Sequence, residues 1–390
     1  MQLEASLSWL ALGHTPGLAS RLSARVLRRF DSPGGVFRAT LPDLESCHLP
    51  APVAQAIVKK EAIERAEKEL SGVQKIAGCS LLNWTEPEYP QTFLQIYDPP
   101  VLLYVCGDPQ VLNLASLSIV GTRRPALYGT PMAQCLDREL AARGLVIVIG
   151  MARGIDAIGH QGAINANGRA IGVLGTGIDV CYPKENKKLY EKVLERGVII
   201  SEFPLHTHPA PENFPVRNRI VAGMPLGLVV EGAHCSGSLI TARLAMEFGR
   251  EVFGVPGNVT QPVSFAPNQL IKQGAKLVTC AADVIEELPT PVRAALMQAE
   301  QPKAEQRKLL AAAALNGLEK KLHELLSTEE PVHIGNIVER SGLNSSEVLA
   351  TLFDLEMKGI IRQLPGKQFS KVLLQRQIGV CIASTGAGIQ

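Results

Sequence analysis

The sequence has little excess charge of either sign, few aromatic residues and no long apolar run. Its 390 residues include 39 Lys+Arg against 37 Asp+Glu, a formal net charge of +2, and aromatic residues make up only 5%. Such a balance gives no sign of a uniformly basic surface for a polyanion. No apolar run reaches the roughly 18 residues of a membrane-spanning helix, and Met1–Ala5 lacks the basic start of a signal peptide. We therefore expect a cytoplasmic protein without a membrane partner.

Several signatures of metal and nucleotide chemistry are also missing. No CxxC pair or Cys/His cluster has the spacing of a zinc site, and no GxGxxG dinucleotide fingerprint occurs. Gly232–Gly237 has the two-glycine spacing of a P-loop, but Ser238-Leu239 stands where Lys-Ser/Thr is required. We expect no metal, no cofactor and no nucleotide hydrolysis. We also expect reduced, mostly buried cysteines at Cys47, Cys79, Cys106, Cys135, Cys181, Cys235, Cys280 and Cys381.

Composition divides the chain at proline-rich or polar stretches. Residues 1–75 have apolar residues at helical spacing and are predicted to form a small helical N-terminal domain. Prolines in Trp84–Pro90 and Asp98–Pro100 predict an extended lead-in to the next domain, residues 76–290. A polar, alanine-rich linker is predicted over 291–314.

The C-terminal part has the pattern of a winged helix. Within 315–378, three helical segments precede a hairpin around Pro365-Gly366. After Glu356 there are five cations and no acidic residue, which predicts a basic wing: Lys358, Arg362, Lys367, Lys371 and Arg376. Residues 379–390 are small and uncharged, and we expect a disordered tail.

The central region alternates short apolar runs with helical patterns. Most runs are continuous and rich in β-branched residues, as strands buried on both faces should be. This order predicts an α/β, doubly wound parallel sheet with ligands at the carboxyl ends of its strands. The predicted strands are Leu117–Val120, Leu145–Ile149, Ala170–Leu174, Val198–Ser201, Leu226–Val230, Glu251–Val255 and Lys276–Val278. The predicted helices are Met132–Arg143, Ile155–Asn167, Asn186–Arg196 and Ser238–Gly249.

Glycine-rich turns follow three of these strands. Glycine lets a backbone approach a ligand closely, and a helix N-terminus offers amides to an anion. Any one turn is equally consistent with an ordinary tight connection. Three in register, the first with two arginines, favour a phosphate-bearing ligand. The candidate binding residues of the first two turns are Gly121, Thr122, Arg123, Arg124, Gly150, Arg153 and Gly154; the third turn leads to Lys184, Asn186 and Lys187.

A second set of candidates lies further along the chain. Arg217-Asn218-Arg219 follows Phe214, so cations that grip phosphates stand near a ring that can stack on a base. Surface ion pairing is the alternative. We expect Arg123, Arg124, Arg217 and Arg219 to lie in loops at the ligand edge. Ser236-Gly237-Ser238 precedes a helix, and capping alone explains one of the two serines.

Asp156 and His160 are four residues apart on one predicted helix face. Such a pair is often purely structural. We interpret both residues as structural and predict no catalytic residue, because no base is singled out for a nucleophile.

Taken in order, the motifs resemble those of the DprA (Smf) family of bacterial DNA-processing proteins. They include Val120–Pro125, Gly150–Asp156 with His160, Asp179–Asn186, Ile200–Pro204, Asn213–Ile220, Ser236–Ala242, Gly249–Gly257 and Asn268–Ala275. One motif would be weak evidence, but the ordered set is highly specific. The likeness spans nearly the whole chain and is strongest from Pro87 to Leu288.

The resemblance implies an extended Rossmann-like domain that binds single-stranded DNA without hydrolysing it. It also implies a homodimer that helps to load RecA recombinase during natural transformation, a sterile-alpha-motif-like N-terminal domain and a C-terminal winged helix. By analogy, the Gly121–Arg123 turn and the groove near Lys184, Asn186, Phe214, Arg217 and Arg219 would hold phosphates. This sequence has Ile149, Gly159 and Thr176 where the family usually has Ser, Ala and often Cys, and Val263–Asn268 lacks the usual glycine.

Two other functions stay open from the sequence. A phosphoribohydrolase-like enzyme on a similar fold would need Pro-Gly-Gly-x-Gly-Thr, which is absent; the nearest counterpart is Glu231–Leu239. A regulator acting through the winged helix would require that module to dominate DNA affinity. The module itself could bind duplex DNA or a protein.

Overall fold

The computed structural model describes residues 2–296, 317–327, 331–357, 361–364 and 366–371. The chain divides into two compact units, residues 1–300 and 301–390. The predicted tail at 379–390 lies outside the described residues, as does most of the predicted linker; residues 290–296, at its start, are helical.

Six helices open the first unit: α1 (Gln2–Gly13), α2 (Ser20–Phe30), α3 (Pro33–Val36), α4 (Leu41–Ser46), α5 (Ala51–Val58) and α6 (Ile63–Gln74). Side-chain oxygens cap two of the short ones. Ser32 accepts a hydrogen bond from Gly35 N, and Thr40 forms a reciprocal capping box with Asp43. Apolar residues of these helices share one core with residues of the sheet such as Leu102 and Tyr104, so the helical segment packs directly on the sheet.

The sheet of the first unit has nine strands in the order β1-β2-β6-β5-β4-β3-β7-β8-β9. Their bounds are β1 (Cys79–Asn83), β2 (Leu102–Gly107), β3 (Ser116–Val120), β4 (Val146–Ile149), β5 (Ala170–Leu174), β6 (Val198–Ser201), β7 (Leu226–Val229), β8 (Glu251–Gly254) and β9 (Lys276–Leu277). β3 to β9 are parallel to one another, and all seven predicted strands are confirmed within a residue or so.

The two other strands flank the proline-rich segment that was predicted as an extended lead-in. β1 pairs antiparallel with β2, and β2 pairs antiparallel with β6, so this edge of the sheet is mixed. The prediction of a wholly extended segment is wrong, because a short helix, Gln91–Leu94, begins directly after Pro90; proline does not interrupt a helix that it precedes.

Helices cover both faces of the sheet: α7 (Gln91–Leu94), α8 (Gly129–Ala142), α9 (Ile155–Asn165), α10 (Lys187–Arg196), α11 (Asn213–Ala222), α12 (Gly237–Glu247), α13 (Phe265–Lys272), α14 (Ala281–Glu286) and α15 (290–296). Three 3₁₀ turns lie at Pro109–Asn113, Lys184–Asn186 and Pro262–Ser264. Alternate residues of one strand enter two different cores: Val146 and Val148 pack on one face of the sheet, and Ile147 and Ile149 on the other.

The cysteines differ from expectation. Cys79 and Cys106 are directly opposite each other on β1 and β2, and they form a disulfide with Cα atoms 4.1 Å apart. The expectation of reduced thiols is wrong for this pair, because strand pairing joins residues that are 27 positions apart. The cysteines are not mostly buried either: Cys135 and Cys235 are exposed, whereas Cys47 and Cys106 are buried.

The second unit has the predicted winged-helix elements. They are α16 (Gly317–Leu325), β10 (Val332–His333), α17 (Ile334–Ser341), α18 (Ser345–Met357), β11 (Ile361–Leu364) and β12 (Gln368–Lys371), with strand order β10-β12-β11. Its core contains Leu322, Ile337, Leu352 and Phe369. Of the predicted basic wing, Lys367 is exposed. Lys358, Arg376 and the side chains of Arg362 and Lys371 lie outside the described residues.

Within the described segments, no helix combines the length and apolar character needed to cross a membrane.

Candidate nucleic-acid interface

A cleft of about 490 Å³ opens at the carboxyl ends of β3 and β4, beside the N-terminus of α12. From β3 the chain builds the sheet in one direction through β4 to β6 and in the other through β7 to β9, so the cleft lies at the topological switch point. It brings together most of the predicted binding residues. Its lining includes Gly121, Thr122, Arg123, Arg124, Gly150, Arg217, Asn218, Ser236, Gly237 and Ser238, together with Asp156.

The turn after β3 is held against α9. Ile155 N donates to Thr122 O at 3.2 Å, and Arg124 N donates to Thr122 Oγ1 at 3.2 Å. Gly121 packs so closely on Ile155 that a Cβ would lie 2.6 Å from that side chain. This fixed turn leaves Arg123 and Arg124 exposed at the cleft. Among the residues that the structure describes, neither arginine has a carboxylate partner.

An aromatic surface adjoins the cleft. The rings of Tyr182 and Phe214 lie 5.8 Å apart, and the Arg123 guanidinium lies 5.6 Å from the Phe214 ring centroid. A pocket lined by both rings shares Arg123, Gly150 and Arg217 with the cleft. Cations and stacking rings therefore occur on one continuous surface, as single-strand binding requires. Sequence reasoning omitted Tyr182 from the site, although it is an aromatic residue beside the candidate Lys184.

Asp156 and Arg217 form the buried floor between the two pockets. Gly150 N and Ala152 N donate to the Asp156 carboxylate, which thereby holds the turn after β4. Arg217 Nη1 donates to Val173 O at 3.1 Å, and a Cβ on Gly150 would overlap the guanidinium. Burial raises the pKa of Asp156 to about 6, although the positive charge of Arg217 lowers it in part. Burial also lowers the pKa of Arg217 to about 10. The pair accordingly shapes the floor of the site.

The helix α11 corrects one expectation. Arg217 and Arg219 were expected in a loop, but both lie within α11, where Pro215 occupies the first turn. Proline is tolerated there because the first amides of a helix have no intrahelical acceptor. Residues two positions apart on a helix point in nearly opposite directions. The side chains of Arg217 and Arg219 therefore lie on different sides of α11.

Arg219 is not part of the cleft. Its side chain is 6% exposed, and its guanidinium pairs with Asp98 Oδ2 at 2.9 Å and Glu202 Oε2 at 2.7 Å. Ser20 of α2 completes the network by donating to Glu202 Oε1 at 2.6 Å. The positive charge is neutralised and out of reach of a ligand, so the position of Arg219 does not support the predicted phosphate contact.

The predicted residues near α10 form a neighbouring rim. Lys184 and Lys187 are exposed. Arg153 Nε donates to Glu185 Oε1 at 2.5 Å, and Asn186 Nδ2 donates to Met151 O at 3.0 Å. Asn186 therefore positions the turn after β4. Gly154 has φ +76° and lies against the turn after β3, where a Cβ would clash with Arg123.

His160 is fully buried in α9, and burial lowers its pKa to about 3, so the imidazole is neutral. Neither ring nitrogen has a hydrogen-bond partner among the described residues. No group of three or more His, Cys, Asp or Glu side chains in the described part of the chain has the geometry of a metal site.

Comparison with known proteins identifies the family. Residues 80–289 match the family model described as "DNA recombination-mediator protein A", and residues 298–367 match "DprA winged helix domain". The chain belongs to the DprA family. It is 40% identical over 257 residues to "DNA processing protein DprA" of Bacillus subtilis, covering 63% of this chain and 86% of that protein. It is 38% identical over 282 residues to "Protein Smf" of Escherichia coli, covering 71% and 74%.

Solved structures of DprA proteins resemble this one. DprA from Streptococcus pneumoniae superimposes with a TM-score of 0.65 at 32% identity, covering 74% of this chain and 98% of that one. A second match, 30% identical with a TM-score of 0.49, is a Helicobacter pylori DprA structure described as giving insights into a single-stranded DNA binding mode; it covers 53% of this chain and 94% of that one.

Proposed function

We propose that this DprA-family protein is a non-catalytic mediator of DNA recombination that binds single-stranded DNA across the cleft and its aromatic neighbour. The observation that carries the proposal is the stacking of exposed Arg123 on Phe214 where the two pockets meet. Backbone phosphates would contact Arg123 and Arg124, and an unstacked base would lie on Phe214 and Tyr182. Such a surface is tolerant of sequence, because every base has a π-face.

The serines of the cleft support binding over catalysis. Ser236 Oγ accepts from Leu239 N at 3.3 Å and lies 2.9 Å from Ser238 Oγ, so it caps α12. Neither serine has a histidine or carboxylate partner among the described residues, and a serine nucleophile needs such a base. Glu231, in the nearest counterpart of the phosphoribohydrolase signature, accepts from Ala126 N at 2.9 Å and holds the turn before α8.

Membership of the DprA family supports a finer proposal. We propose that the bound strand is presented to RecA, that the protein acts as a cytoplasmic homodimer, and that incoming DNA in natural transformation is one substrate. Stimulation of RecA strand exchange by the purified protein tests the first of these proposals.

The binding surface itself is tested with fluorescent oligo-dT by anisotropy at graded salt. Each phosphate contact on a single strand contributes about 0.7 to the slope of log K against log salt. Arg123→Gln should lower the slope by about this amount, and Phe214→Leu should weaken binding by about 1 kcal/mol or more with little change in slope. The matched control is Arg138→Gln, an exposed arginine on α8. If Arg123→Gln and Arg138→Gln behave alike, the proposed surface is wrong.

The enzyme alternative has its own test. Incubation with nucleoside monophosphates should release no free base. Release of free base would show that the protein is a phosphoribohydrolase-like enzyme and would overturn the proposal.

A further inference from the structure

The helix α18 of the winged-helix unit exposes large apolar side chains. Leu349 is 52% exposed and Phe353 is 63% exposed. They are four residues apart and therefore neighbours on one side of the helix. On the inward side, Val348, Leu352 and Leu355 are fully or almost fully buried in the core of the unit. The core thus accounts for the inward apolar residues of α18 and leaves the outward pair without a packing role.

The charges of α18 are all of one sign. Residues 345–357 contain three acidic residues, Glu347, Asp354 and Glu356, and no basic residue. Glu347 accepts from Asn344 N at the start of the helix, and Glu356 accepts from Gln363 N of β11. Glu356 is three positions after Phe353 and lies beside the apolar pair, whereas Glu347 and Asp354, seven positions apart, lie on an adjoining exposed side of the helix. The outward side of α18 is therefore apolar and flanked by negative charge.

Such a helix is unsuited to duplex DNA. In winged-helix readers the helix at this place in the fold enters the major groove between two rows of phosphates. A helix with three carboxylates and no cation would be repelled there, and burying Leu349 and Phe353 against phosphates would gain nothing. The same features match a different ligand: an amphipathic helix whose apolar residues at i, i+3, i+4 and i+7 are bordered by lysine or arginine.

We infer that α18 is a protein-docking surface, and that its partner is a basic amphipathic helix that packs on Leu349 and Phe353 and pairs with the neighbouring carboxylates. This inference concerns the second unit and does not depend on the DNA surface of the first.

The test uses the full-length protein and a labelled 18-residue peptide with leucines at helical spacing and lysines at the other positions. A second peptide carries glutamate at every lysine position. The wild-type protein should bind the basic peptide, and Leu349→Ser combined with Phe353→Ser should weaken that binding about tenfold or more. Val58→Ser, at a 45% exposed apolar residue of α5, is the control and should leave the affinity unchanged.

A second variant tests the charges without altering apolar surface. The double variant Glu347→Gln, Asp354→Gln should lower the affinity for the basic peptide several-fold and reduce the salt dependence of its binding. Oligo-dT affinity should be unchanged in both variants, which separates this result from a failure of the DNA surface. Equal binding of the basic peptide by wild type and both variants would overturn the inference, as would equal binding of the acidic peptide. A tenfold loss of duplex DNA affinity in the Leu349/Phe353 variant would identify α18 as a DNA reader instead.

Discussion

Gly159 of α9 and Ile149 at the end of β4 meet in space behind the cleft, and their contact predicts a measurable coupling. A Cβ built on Gly159 would lie 2.7 Å from Ile149 Cδ1 and 2.5 Å from Asp137 Oδ2 of α8. The side chain of Ile149 thus occupies the space that a methyl group at 159 would need.

The magnitudes follow from this geometry. Gly159→Ala should gain about 1 kcal/mol from helix propensity and lose about 1–3 kcal/mol from overpacking, a net loss of about 1 kcal/mol. Ile149→Val removes Cδ1 and should cost about 0.5–1.5 kcal/mol by itself. In the double variant the methyl group at 159 no longer meets Cδ1, while its close approach to Asp137 Oδ2 is the same as in the single variant. We expect the double variant to be about 1 kcal/mol more stable than the sum of the single changes indicates.

The assay is urea unfolding of the four proteins in this double-mutant cycle. The control cycle combines Gly159→Ala with Ile171→Val, since Ile171 packs on the opposite face of the sheet. The control pair should be additive. Additivity within about 0.3–0.5 kcal/mol in the Ile149 cycle would refute the proposed compensation.

The remaining predictions concern buried charge. Arg219→Gln should lower the free energy of unfolding by about 3 kcal/mol, because Asp98 and Glu202 lose their partner, while the oligo-dT salt slope stays at the wild-type value; a lower slope would return Arg219 to the binding surface. The pKa of His160 is about 3 in the folded state and 6.5 in the unfolded state. The wild-type protein therefore gains stability as the pH rises from about 3 to 6.5. His160→Asn should lose this gain when the free energies of unfolding at pH 4.5 and 7.5 are compared. Asp156, with a folded-state pKa of about 6, makes the folded protein lose stability as the pH rises, so Asp156→Asn should make the increase of stability with pH steeper. A pH profile of stability that neither variant changes would contradict the roles assigned to His160 and Asp156.

Much of the site was predictable from local sequence. The glycine-rich turns after β3 and β4 and the serines before α12 belong to the strand-to-helix connections after β3, β4 and β7 of a parallel sheet. Because the carboxyl ends of parallel strands meet at one edge, Gly121, Gly150 and Ser236 had to converge there. Tyr182 was missed since nothing in a sequence tells which of several aromatic residues lies near another ring.

The sequence by itself determined the order and type of the central elements, because apolar periodicity is a property of neighbouring residues. Tertiary structure alone decided which groups that are distant in sequence neutralise or contact one another. Arg217 and Arg219 are two residues apart, yet one lines the floor of the cleft and the other is bound by Asp98 and Glu202. Cys79 met Cys106 through strand register, and Leu349 and Phe353 were left outside the core by the packing of α18. Local pattern cannot specify these outcomes, since each depends on the positions of residues contributed by other elements.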